Sequence, residues 1–131
     1  MYHCHVHFYL AGHHCRIFEI IKEMSPLEHF THEFVEDGRL SEESAAAADV
    51  IFANVEDMDE KKALCSLISG KGKDTDLILL AGGNQMSLTA EELKEVTDVW
   101  KLPMSDDEIG FRFLRWQENL KMCKDFWQTS H

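Results

Sequence analysis

Residues 49–83 read DVIFANVEDMDEKKALCSLISGKGKDTDLILLAGG, and this stretch decides the fold. DVIFANV (49–55) is apolar at nearly every position, as strands are when helices cover both faces of a parallel sheet. Residues 59–69 follow with Ala63, Leu64, Leu67 and Ile68 at helical spacing, and Gly70 closes the helix. DLILLA (76–81) is a second apolar strand, ended by Gly82-Gly83. Strand, amphipathic helix, strand is the βαβ unit of a parallel sheet.

The same alternation extends in both directions. Upstream, YHCHVHFYL (2–10) is a first strand that Gly12 interrupts. Ile17, Ile20, Ile21 and Met24 mark a helix over 14–24 that stops before Pro26. LEHFTHEFV (27–35) alternates with period two and predicts a second strand, followed by an Asp37-Gly38 turn. Ser41 caps a short helix through Ala45–Ala47. Downstream, Thr89 with Glu92 is a capping box for a fourth helix, and TDVW (97–100) is a short fifth strand. Ser105 with Glu108 is a second capping box, opening a last helix to about Trp127. Five repeats of strand and helix predict an α/β, doubly wound three-layer sandwich on a five-stranded parallel sheet. No linker or composition break divides residues 1–131, so one domain is expected.

Composition narrows the function. A 131-residue chain that is 44% hydrophobic buries roughly two-thirds of its unfolded surface and needs no disulfide or metal to hold a core. The 13 Lys and Arg against 24 Asp and Glu leave a net charge of −11, which repels nucleic-acid backbones and anionic lipid. Neither is expected as a partner. No apolar run is long enough to span a bilayer, and MYHCHVHFYLAG lacks the basic start of a secretory signal. Cys4, Cys15, Cys65 and Cys123 form no C-x-x-C pair, the pattern of reduced thiols in a cytoplasm. No G-x-S-x-G elbow is present, AGGNQ after the fourth strand is no phosphate loop, and AGHHC lacks the hydroxyls and glycines of a flavin loop. A catalytic site and a cofactor are therefore not expected.

Two motifs carry a family resemblance. VTDVWKLPMSDDEIGFRF (96–113) resembles the last strand and helix of response-regulator receiver domains, where a lysine follows the strand and a proline comes after it. Lys101 falls on the family lysine, with Leu102 interposed before Pro103. ADVIFANVED (48–57) resembles the receiver's third strand, which ends in the phosphorylated aspartate. The resemblance implies a flavodoxin-like (βα)5 fold, and the departures from it imply lost chemistry. At the acceptor position stands Asn54, a neutral amide that cannot act as a carboxylate nucleophile. No Asp or Glu precedes Glu19, so the acids that would hold magnesium at the end of strand one are missing. Ala81 replaces the switch hydroxyl after strand four. Glu56 and Asp57 are the only nearby carboxylates, and without strand-one acids no magnesium would sit beside them. The resemblance therefore implies a pseudo-receiver in which Lys101 is structural or solvated.

Two further patterns bear on function. His3, His5 and His7 share one face of strand one at roughly 7 Å intervals, with His13, His14 and Cys15 after its end. Such histidines could bind a metal ion or haem, or they could simply hydrogen-bond to neighbours, and no metal or cofactor is expected as the first reading. His29 and His32 fall on opposite faces of strand two, which argues against one convergent cluster. In the last helix, Ile109, Phe113, Trp116, Leu120, Cys123 and Trp127 form a heptad-spaced seam. Its first turns must cover the sheet, but the aromatics continue to the end of the sequence. The seam over 105–127 predicts a dimer or a downstream domain of the same polypeptide. LRWQENLKMCKDFWQTSH resembles linkers to PAS and diguanylate cyclase modules, so a non-catalytic regulatory module of a bacterial cyclase is expected, with a histidine kinase as the next candidate output. A metal- or haem-binding sensor using the strand-one histidines is the alternative.

Overall fold

The computed structural model describes residues 4–55, 61–81 and 89–129, and the side chains of these except 121–129. Strands β1 (Cys4–Gly12), β2 (Phe30–Asp37), β3 (Val50–Val55), β4 (Asp76–Ala81) and β5 (Asp98–Lys101) alternate with helices α1 (Arg16–Glu23), α2 (Glu42–Ala46), α3 (Lys61–Gly70), α4 (Ala90–Lys94) and α5 (Asp106–Thr129). All strand pairs are parallel, in the order β2-β1-β3-β4-β5. This is the flavodoxin-like fold expected from the sequence.

The two faces of the sheet differ in character. On one, Val6, Phe8 and Leu10 of β1 pack with Phe52, Ile78, Leu80 and Trp100 against Ile17, Phe18 and Ile21 of α1 and Ile109, Phe113 and Trp116 of α5. This face is aromatic, and Phe8, Phe52, Phe113 and Trp116 all lie in ring contact. On the other face, smaller residues (Ala11, Ala53, Ala45 and Ala48) let α2 and α3 approach through Leu64 and Leu67. The third strand is buried along its whole length, as its two-sided apolarity predicts.

The caps of α4 and α5 form as expected: Thr89 Oγ1 accepts from Glu92 N at 3.2 Å, and Ser105 Oγ accepts from Glu108 N at 3.2 Å. β4 begins and ends at the expected residues. Several boundaries shift by a few residues, and two shifts have a visible cause. β2 starts at Phe30 rather than residue 27, because Leu27–His29 forms a turn closed by Phe30 N to Leu27 O at 3.0 Å, with His29 at φ 70°. Its apolar Leu27 imitates the strand alternation from outside the ladder. β1 runs on through Gly12, because Gly12 pairs in register with Asn54. α4 is only five residues long and buries no side chain.

Burial divides the apolar seam of α5. Ile109, Phe113 and Trp116 are 1%, 0% and 9% exposed within this chain's own core, and Leu120 is partly buried against it. The first three cover the sheet. Phe111 and Leu114, off the seam, are the exposed large apolar side chains among the described residues of α5, at 64% and 40%. Cys123 and Trp127 have side chains outside the described residues. No described helix is long and apolar enough to cross a membrane.

Candidate functional site: the carboxyl edge of the sheet

In a doubly wound sheet the binding crevice opens at the carboxyl ends of the strands, where neighbouring connections diverge to opposite faces. Here β1 lies between β2 and β3, so the crevice opens beside Gly12 and Asn54. Parallel register aligns Gly12, Asn54 and Leu80 across β1, β3 and β4, and Val55, Ala81 and Lys101 across β3, β4 and β5. The three positions singled out in the sequence, Asn54, Ala81 and Lys101, therefore meet one edge.

What stands there is chemically quiet. Asn54 is 2% exposed, and its Nδ2 donates to the His13 carbonyl at 2.7 Å. Its own backbone carbonyl accepts from His13 N at 3.3 Å. The amide thus ties the β1–α1 loop to β3 instead of facing solvent. Gly12 adopts φ +91°, and a Cβ there would lie 2.1 Å from the Asn54 carbonyl oxygen, so β1 and β3 touch backbone to backbone. Ala81 offers only a methyl group. Lys101 is exposed, and Leu102 N donates to Ala81 O at 2.8 Å just beyond it. Glu56 and Asp57 lie outside the described residues.

Carboxylates do reach this edge from β2, which the sequence reading had not considered. Leu10 pairs with Glu36 and Ala11 with Asp37. Both are already engaged. Glu36 binds Lys22 Nζ at 3.0 Å and His14 Nδ1 at 3.2 Å. Burial would raise its pKa, but these hydrogen bonds outweigh that and hold it below the usual carboxylate value. Asp37 Oδ1 accepts from Arg39 N at 3.1 Å. Among the described residues, these two acids are thus already held by internal partners.

No protein-family profile matches the sequence, and no curated protein matches it. Among solved structures, the chain is similar to NtrX from Brucella abortus, a response-regulator family protein whose crystal structure is in complex with ADP. The superposition has a TM-score of 0.61 at 12% identity and covers 95% of this chain. The fold is receiver-like. The chain spans 29% of the NtrX chain, so the receiver-like fold here corresponds to under a third of that protein.

The strand-one histidines lie elsewhere. His5 and His7 are exposed on the α2 side of the sheet, near the amino end of β1, and His3 is outside the described residues. Glu33 of β2 pairs in register with His7. His13 and His14 sit past the opposite end of β1, roughly 20 Å from His7 at strand rise, and cannot join them. His32 is on the aromatic face against Phe8 and Phe113, and His29 precedes β2 rather than lying within it. Sequence reasoning missed Glu33, which the register of two parallel strands alone brings to the histidines.

Proposed function

We propose that this chain is a non-catalytic regulatory module, a pseudo-receiver that keeps the fold of its relatives without the phosphoryl chemistry. The observation that carries the reading is Asn54, buried at the acceptor position with its amide spent on the His13 carbonyl. A neutral amide cannot attack phosphorus, and no strand-one acid stands by to neutralise phosphoryl oxygens with magnesium. The full-length output is a diguanylate cyclase, for which α5 leads into the next domain and a two-fold pairing would bring two active sites together.

Because Ile109, Phe113 and Trp116 belong to the core, contact with a second copy or downstream domain falls to Phe111 and Leu114 on α5, with Val99 on β5 and Leu93 on α4 also exposed. Magnesium titration followed by backbone amide NMR tests the loss of receiver chemistry. Resonances of Gly12, Asn54 and Lys101 stay in place as magnesium rises through millimolar concentrations. A saturable shift of these signals contradicts the proposal.

A further inference from the structure

We propose that His5, His7 and Glu33 form a binding site for a divalent zinc-class metal ion, separate from the crevice at the carboxyl edge. Strand alternation puts His5 and His7 on one face of β1, and parallel register sets Thr31 beside His5 and Glu33 beside His7. One ligand atom from each of His5, His7 and Glu33 lies within 4.8 Å of the others. Glu33 Oε2 is 2.6 Å from His7 Nδ1 and 3.7 Å from His5 Nε2. Tetrahedral zinc with bonds of about 2.0–2.1 Å holds its ligand atoms roughly 3.3 Å apart. Small side-chain rotations reach that spacing, and no backbone movement is needed.

A second observation points the same way. His5 Nδ1 lies 2.6 Å from Thr31 Oγ1. In the tautomer that donates Nδ1–H to the hydroxyl, the Nε2 lone pair is left on the side of Glu33. Metal-ligating histidines are oriented in this manner by a partner on the other ring nitrogen. The backbone around His7 is also clamped: its N–H donates to Asp49 Oδ2 at 2.8 Å and its carbonyl accepts from Asp49 N at 2.8 Å.

The His5 and His7 rings stand edge to face with centroids 4.6 Å apart, beside a single carboxylate. One dication takes both rings neutral and the carboxylate ionised. Two imidazoles with one carboxylate suit zinc, copper or nickel, whereas magnesium prefers oxygen ligands alone. The side chains are 46%, 48% and 55% exposed, so an ion can enter and its fourth position stays open. A cavity of about 330 Å³ between β1, β2 and α2, lined by His7, Glu33, Glu43 and Ser44, leaves room there for water or a small anionic ligand.

The experiment uses the untagged chain, titrated with zinc sulfate by calorimetry, with cobalt(II) absorption as a report of tetrahedral geometry. One equivalent of zinc is expected. H5Q and H7Q abolish it, E33Q and T31V weaken it by roughly tenfold or more, and H14Q leaves it unchanged. Circular dichroism checks that each surface variant is folded. Absence of saturable binding overturns the proposal, and so does one equivalent bound with unchanged affinity in H7Q or E33Q, which would place the ion on His3 or the thiols.

Discussion

The Asn54 side chain and the His13 carbonyl are joined by a 2.7 Å hydrogen bond in the crevice where a receiver keeps its phosphoryl-accepting carboxylate. The bond is a strut between β3 and the β1–α1 loop. Restoring the carboxylate does not restore the chemistry. Asn54→Asp removes the donor and turns a buried oxygen toward the carbonyl, a loss of about 1–3 kcal/mol. The urea midpoint falls, and the variant takes up no phosphoryl group, because the strand-one acids are still missing.

Gly12 supports the same contact from below. With φ +91° and a Cβ position 2.1 Å from the Asn54 carbonyl oxygen, Gly12→Ala strains the backbone and forces β1 from β3. A left-handed non-glycine residue and an overpacked contact together cost roughly 2–4 kcal/mol. Chemical denaturation measures it, with Gly38→Ala, which meets nothing within 4 Å, as the control.

On α5 the two kinds of aromatic separate cleanly. Trp116 stacks on Phe113, contacts Phe8 and Phe52, and donates Nε1–H to Asp76 at 3.1 Å. Trp116→Ala destabilises by about 3–5 kcal/mol. Phe111→Ser, at an exposed position, changes stability by no more than about 0.5 kcal/mol. If the chain self-associates through α5, light scattering shows the mass falling with Phe111→Ser in a folded protein.

Gln117 is 4% exposed, and neither its Nε2 nor its Oε1 is hydrogen-bonded to another described residue. A buried amide without partners carries a desolvation cost that an apolar side chain of similar length does not. Gln117→Met therefore stabilises by about 1 kcal/mol or more, read as a raised thermal midpoint.

Acid acts through His32. Burial among Phe8, Phe34 and Phe113, then the nearby His5, lowers its pKa from the ordinary 6.5. Below that value the unfolded chain binds a proton at His32 that the folded chain resists, so unfolding gains. Stability falls as pH drops through 6.5 toward the lowered folded value. His32→Phe flattens this part of the profile in pH-dependent denaturation.

The fold was legible because its signals are local. Apolar runs at 49–55 and 76–81, the caps at Thr89 and Ser105, and the helical spacing of Ile17 and Ile21 each depend on neighbours in sequence. The amide at 54 and the lack of early acids are likewise read without coordinates, while the Asn54 bond to the His13 carbonyl is not. What failed depends on distance. The alternation of 27–35 could not show that Leu27 belongs to a turn, which only the His29 backbone and the start of the β1 ladder decide. The α5 seam showed that its first turns must cover the sheet, but not that Phe8 and Phe52 are the rings they meet. Glu33 joined the histidines through register, and register between parallel strands is set by a crossover that no spacing rule reads.

The most direct measurement is intact mass after incubation with acetyl phosphate and magnesium, on the wild-type chain and on a variant carrying Glu56→Gln and Asp57→Asn. The wild-type mass stays unchanged and matches its untreated value. An added phosphoryl group that disappears in the variant would show a working acceptor beside Asn54 and contradict the central claim.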